Sequence, residues 1–374
     1  MRVALIHDWL TGMRGGEKVL DALCELYPDA DIHTLFHVRG AVAPSIERHP
    51  IHTSFVQWLP FAERHYRRYL PLFPFAVERF DLDDAELVIS SSHCAVKAVV
   101  APGRARHVCY CHSPMRYAWD QFESYFGAER VGAAANRWVY RPMMARLARW
   151  DAATAGRVDR FVANSRHVAA RIRRYYNREA TIVHPPVDTA FYTPADAHGN
   201  PTREPHFLIV SALVPYKRLE LAIDACARVG ARLRIAGDGP DRERLERLGG
   251  PTVTFLGRLT DEQVRDEYRQ AQAVLLPGEE DFGIVPVEAQ ACGTPVVALA
   301  RGGALETVID GETGVLFSET TGESLAAALE RLAATRFDAD RLRRHAERFS
   351  RPRYLVEMRA VVDDTVAAPP GTRW

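Results

Sequence analysis

The chain of 374 residues has no uninterrupted apolar run of about 20 residues, the length an α-helix needs to cross a hydrocarbon core, so it offers no candidate for a membrane-spanning helix. It has no excess charge of either sign. Its 48 Lys and Arg balance 48 Asp and Glu, and no global field argues for a nucleic-acid partner. Cysteine is scarce and irregularly spaced, six in all, which reads as the reduced thiols of a cytosolic protein rather than a disulfide framework. Cys109 and Cys111 would share one strand face beside His112, but no further metal ligands are identifiable, and small core residues are the better reading. An Asp-x-Asp cradle for a divalent cation is missing from every expected strand end. Asp81-Leu82-Asp83 has the spacing but precedes a strand and reads as a turn. The residues from Met1 to Asp8 carry too short an apolar run for a signal peptide and read as the start of a strand.

What is present is ordinary for a globular fold with a sizeable core: 47% hydrophobic and 26% charged residues. The length suits two domains or one large one. Apolar runs alternate with amphipathic segments, the pattern of parallel α/β layers. Strands are expected at residues 3–7, 32–36, 87–90, 107–111, 160–163 and 181–184. They resume at 207–211, 233–237, 252–256, 273–276, 296–299 and 314–317. Helices are expected at 17–26 and 354–366, with a loose tail after 367. The polar stretch 193–204 is the expected boundary between one Rossmann-like domain over 1–190 and a second over 205–350. Open α/β sheets place ligands at the carboxyl ends of their strands.

The most informative segment runs from Glu280 through Asp281, Phe282, Gly283, Ile284, Val285 and Pro286 to Glu288, and on through Cys292, Gly293, Thr294 and Pro295. It follows a buried strand ended by Pro277 and Gly278. Pro286 suits the first turn of a helix and Gly293 its stop. Unpaired N–H groups at such a helix start can receive a phosphate, with Glu280 and Glu288 on either side to hold hydroxyls. The bland alternative is a solvated loop Glu and a surface helix Glu.

This segment resembles the paired-glutamate signature of retaining glycosyltransferases with the GT-B fold, the large glycosyltransferase family 4. The resemblance runs over almost the whole chain, most strongly over 205–317. It implies an α/β fold of two Rossmann-like domains facing across a cleft, the last helix (about 352–366) returning to an acceptor-binding first domain. It implies Glu280 for the hexose, Glu288 for the ribose, and Phe282, Gly283, Ile284 and Val285 around the donor phosphates. Lys217, in Leu213-Val214-Pro215-Tyr216-Lys217-Arg218, matches the family's phosphate-clamping lysine. The family's arginine five residues earlier is replaced by Ala212, and Arg218 either supplies that charge or is solvated. Gly15 and Gly16 follow the first strand, where a glycine pair lets backbone approach the donor. His112 ends a strand where the family carries a histidine near the reacting sugar. Arg116, Tyr117, Trp119 and Asp120 either shape an acceptor pocket or pack the loop. Arg258, in Phe255-Leu256-Gly257-Arg258, matches an element that meets the nucleobase or diphosphate.

The run from His7 to Lys18 and the Leu-Val-Pro-Tyr-Lys-Arg segment look most like bacterial mannosyltransferases of surface polysaccharides. That resemblance implies GDP-mannose as donor and a lipid-linked or saccharide acceptor, while the missing Asp-x-Asp cradle argues for chemistry without a metal, and no other cofactor is expected. A UDP-sugar enzyme, an epimerase or phosphorylase on the same fold, and a non-catalytic nucleotide-sugar binding module are the alternatives. Basic and aromatic residues interleave over 58–80 (Trp58, Phe61, Arg64, Arg67, Arg68, Phe75) and 134–150 (Arg137, Trp138, Arg149, Trp150). They suit either peripheral contact with anionic headgroups at the inner membrane face or arginine stems folded over apolar surface.

Overall fold

The computed structural model describes residues 1–62, 66–195, 206–369, 371, 372 and 374. Most of the polar stretch expected as the boundary therefore lies outside the described residues, as do Arg64 and the Arg67 side chain. The chain divides into two units. One is Met1–Pro186 with Pro352–Trp374, and the other is Val187–Arg351. The change of unit thus falls just upstream of the polar stretch.

The first unit is built on a seven-stranded parallel sheet: β1 (Val3–His7), β2 (Asp31–Thr34), β3 (Ile51–Thr53), β4 (Leu87–Ser92), β5 (Arg106–Cys111), β6 (Arg160–Ala163) and β7 (Thr181–Ile182). Their order is β3-β2-β1-β4-β5-β6-β7. The second unit carries six parallel strands: β8 (His206–Val210), β9 (Arg232–Ala236), β10 (Val253–Gly257), β11 (Ala273–Leu276), β12 (Val296–Leu299) and β13 (Gly314–Phe317). Their order is β10-β9-β8-β11-β12-β13. The central strands β1, β4, β8, β11 and β12 are almost wholly buried, as in parallel sheets covered by helices on both faces. In each sheet the order reverses at one place, between β1 and β4 and between β8 and β11. The crevice at such a reversal is where open α/β sheets bind ligands.

Expectation and structure differ in detail. β3 was not anticipated. It is a three-residue edge strand after Pro50, too short to show a period. β2 stops at Thr34, two residues early, and β7 at Ile182. The last helix, Arg351–Ala367, is three residues longer at its start than expected. It belongs to the first unit from Pro352 onward. It buries Tyr354, Met358, Val361 and Val362 in one cluster with Leu5, Leu87, Val108 and Tyr110.

Candidate functional site

In the second unit the loop after β8 forms a short 3-10 turn, Pro215–Lys217. The following helix is Leu219–Arg228. Arg218 joins the two with a left-handed backbone, φ 55°, a conformation that costs a non-glycine residue roughly 1 kcal/mol or more. The loop after β11 faces this turn across the sheet reversal. Gly278 makes the approach possible: a Cβ there would stand 2.8 Å from the Cα and the carbonyl oxygen of Lys217. The result is a direct ion pair between Lys217 Nζ and Glu280 Oε1, with side chains 17% and 12% exposed. A cation and a carboxylate from the two sequence motifs thus meet in one half-buried place.

Glu280 is held from behind as well. Its carbonyl accepts from Gly303 N at 2.8 Å, and a side chain at Gly303 would collide with the backbone of Phe282. Gly278 and Gly303 are site-forming residues that sequence reasoning missed, because a glycine needed for close approach leaves no periodic signal. Gly283 then caps the helix Ile284–Ala291 with φ 86° and no side-chain cap. The first amides of this helix are left without intrahelical partners, next to the Lys217–Glu280 pair. Phe282 is buried against Phe349, ring centroids 5.5 Å apart, so what it presents to a ligand is backbone. Ile284 and Val285 are half-buried.

Glu288 is 5% exposed and accepts a hydrogen bond from the Tyr268 hydroxyl at 3.0 Å. Burial, reinforced by that carboxylate, pushes the Tyr268 hydroxyl well above its ordinary value. Arg258 follows Gly257 and is largely exposed, its Nε 3.7 Å from Asp238. Arg218 is also exposed, 3.8 Å from Glu220.

In the first unit, Gly15 and Gly16 open the helix Gly15–Leu26, and the N3 residue Glu17 returns its carboxylate to the Arg14 amide at 3.1 Å. A Cβ on Gly16 would sit 3.3 Å from His7 Cε1 and 3.8 Å from His112 Nε2. The glycine pair therefore lies against the sheet reversal between β1 and β4. His112 follows β5 there, half-buried, with Nε2 2.8 Å from Ser91 Oγ. Asp8 is fully buried and accepts from the amides of His93, Cys94, Ala95 and Val96 at 2.7–3.1 Å. The turn after β4 is thus capped chiefly by the aspartate that follows β1, and the serines of β4 turn to other partners. Ser90 faces His107 at 2.8 Å, and Ser92 Oγ accepts from Lys97 N at 3.3 Å.

The other expected acceptor residues lie along the loop after His112. Arg116 Nε is 3.4 Å from Ser113 Oγ, and Tyr117 packs edge-on against Tyr125. Trp119 Nε1 donates to Asp151 at 2.8 Å and its ring stacks on Tyr175 at 4.5 Å. Asp120 is bonded by Arg171 and by the Tyr175 hydroxyl. Asp151 in turn pairs with the buried Lys97 at 3.1 Å. Among the described residues no three His, Cys, Asp or Glu side chains gather as metal ligands would, and no helix is long and apolar enough to cross a membrane.

Comparison with known proteins agrees with this architecture. Residues 13–191 match the family described as Glycosyltransferase Family 4, and residues 194–349 match that described as Glycosyl transferases group 1. Each half of the chain thus matches a glycosyltransferase family model, and the fold is that of the GT-B glycosyltransferases. Its curated relatives include the D-inositol 3-phosphate glycosyltransferase of Mycolicibacterium smegmatis, 35% identical over 209 residues, 47% of this chain and 48% of the relative. The protein of the same name in Geodermatophilus obscurus is 34% identical over 240 residues, 56% of this chain and 52% of the relative. The chain spans about half the length of the curated relatives it matches. Among solved structures, Anabaena HepE in complex with UDP-glucose is similar over 97% of this chain and 100% of that one, with a TM-score of 0.72 at 20% identity. Sucrose-phosphate synthase from Thermosynechococcus elongatus is similar over 99% of this chain and 100% of that one, with a TM-score of 0.72 at 19% identity.

Proposed function

We propose that the chain is a retaining glycosyltransferase that moves a hexose, mannose from GDP-mannose, onto a lipid-linked or polysaccharide acceptor. The observation that carries this reading is the Lys217–Glu280 contact beside the uncapped start of helix Ile284–Ala291. An ammonium and a fan of amides suit a leaving diphosphate, whose charge grows as the glycosidic C–O bond breaks. On this reading Lys217 and the Gly283–Val285 amides neutralise the leaving group without a metal ion. Glu280 orients the hexose hydroxyls, and Glu288 takes the ribose when the Tyr268 contact yields. Gly15 and Gly16 let backbone approach the donor, and His112 stabilises the reacting sugar. The acceptor attacks from the face the diphosphate leaves, and a phosphate oxygen takes its proton. Arg116 and Tyr117 meet the acceptor on a wall that Trp119 and Asp120 keep rigid. Trp58 and Phe61, 83% and 77% exposed, suit peripheral contact with headgroups.

The names of the relatives and the UDP-glucose held by Anabaena HepE favour a second reading, a UDP-sugar donor with an inositol phosphate acceptor. Calorimetry against GDP, UDP and ADP, with and without their sugars, separates the two. We expect GDP to bind most tightly and that binding to weaken in Lys217→Ala. A preference for UDP would replace the donor assignment, and binding untouched by the substitution would remove the site. Donor consumed without acceptor would instead indicate an epimerase, and dependence on inorganic phosphate a phosphorylase.

A further inference from the structure

Three imidazoles stand at the sheet reversal of the first unit. The His7 ring centroid lies 5.8 Å from that of His93 and 6.5 Å from that of His112, and the latter two are 6.3 Å apart. Two of them share one hydroxyl. Ser91 Oγ is 3.1 Å from His7 Nδ1 and 2.8 Å from His112 Nε2. Beyond His7 stands Glu17, whose Oε1 is 3.9 Å from His7 Nε2. His7 and Ser91 are 0% exposed and Glu17 3% exposed, so these three groups are shielded from bulk water.

A serine hydroxyl carries one hydrogen and can donate to only one of its two ring neighbours. The other ring must donate to it. His7 Nε2 makes no hydrogen bond, and the nearest charge before it is the Glu17 carboxylate. Burial works to raise the Glu17 carboxyl, but His7, then His93 and the backbone, outweigh it and hold the group below its ordinary value, so it is ionised at neutral pH. A carboxylate attracts an N–H and repels a ring lone pair. A neutral His7 therefore carries its hydrogen on Nε2 and presents Nδ1 as an acceptor. Ser91 then donates to His7, and its oxygen accepts from His112.

The geometry points to a tautomer relay: Glu17, through His7 and Ser91, fixes His112 with its hydrogen on Nε2. Glu17, His7 and Ser91 are positioning residues. Their effect reaches the reacting centre only through His112, so the catalytic consequence rests on the reading of His112 given above. The electrostatic logic of the row does not.

The test is ¹⁵N spectroscopy of histidine-labelled full-length protein at neutral pH, with the His112 signals identified by their loss in His112→Gln. We expect Nε2 of His112 to be the protonated nitrogen in the wild type. Ser91→Ala cuts the row and Glu17→Gln removes its charged end while keeping the helix cap, so each should yield a mixture of tautomers or the reverse one. Ser90→Ala removes a like serine–histidine bond, to His107, and should leave His112 unchanged. A wild-type His112 protonated on Nδ1, or one whose tautomer ignores both Ser91→Ala and Glu17→Gln, overturns the relay. In transfer assays the same two variants should lose kcat by roughly tenfold to a hundredfold with KM nearly constant, the scale of a misplaced catalytic group. Tautomers that respond while kcat does not would uphold the relay and count against the role given to His112.

Discussion

Lys217 and Glu280 each neutralise the other in a partly desolvated place, and a diphosphate entering there would take over the lysine. We therefore expect Lys217→Ala to weaken nucleoside diphosphate binding about tenfold or more, the scale of a lost charge-assisted contact, measured by calorimetry. Lys217→Arg should recover only part of it, since a planar fork does not fill the place of a point charge. A different consequence of single residues lies in the buried histidines. Burial, with His52 adding to it, lowers His33 to about 4, and burial lowers His107 to about 4 against the pull of the Arg157 carbonyl and Asp159. Unfolded, both titrate near the ordinary value of about 6.5. Between these limits the unfolded chain binds protons that the folded chain refuses, so stability is full above about pH 6.5 and falls as pH drops toward 4. The slope is about 1.4 kcal/mol per pH unit for each group. Tm followed from pH 7.5 to 4.5 should decline accordingly, and more gently in His33→Gln.

At the scale of elements, the site depends on loops brought together by absent side chains. A methyl group at Gly278 would meet the Lys217 backbone at 2.8 Å, and backbone cannot swing aside as a side chain can. Gly278→Ala should separate the Lys217 turn from the Glu280 loop, costing roughly 1–3 kcal/mol as overpacking does and lowering kcat/KM more than it lowers stability. Steady-state kinetics beside thermal melts would show the split, and unchanged kinetics would argue that the loops need not meet. The elements themselves were largely legible: β11, β12 and β13 fall where their apolar runs predict, because strands buried on both faces leave continuous hydrophobic signal. Lys217, Glu280 and the helix after Gly283 were legible from motif. What escaped were features with no pattern along the chain. β3 is too short to show a period, the closeness of Gly278 to Lys217 exists only in three dimensions, and the Ser91 bridge joins residues 84 and 21 positions apart. Asp8 likewise reads as one more polar residue after a strand, although it caps a turn 85 to 88 positions downstream.

At the scale of the whole molecule, the first unit is completed only when the chain returns to it. Tyr354, Met358, Val361 and Val362 are 0–6% exposed, and burying such side chains is worth roughly 1.5–3 kcal/mol each. Arg160 also reaches the Val361 carbonyl at 3.3 Å, and Arg353 that of His184 at 2.6 Å. Truncation after residue 351 should therefore destabilise the first unit selectively. Differential scanning calorimetry would show its transition lowered or lost, whereas a single unshifted transition would contradict the packing described here.

The two passages between units lie beside each other. Val187 N donates to the Phe349 carbonyl at 3.0 Å, and Arg351 N to the Val187 carbonyl at 3.0 Å. Topologically, then, residues 187–351 form a cassette threaded into a host, entered and left through one doorway. Recombination at that doorway would exchange the whole 187–351 unit while leaving its host's sequence on either side intact, a route by which a lineage could replace one sheet without redesigning the other.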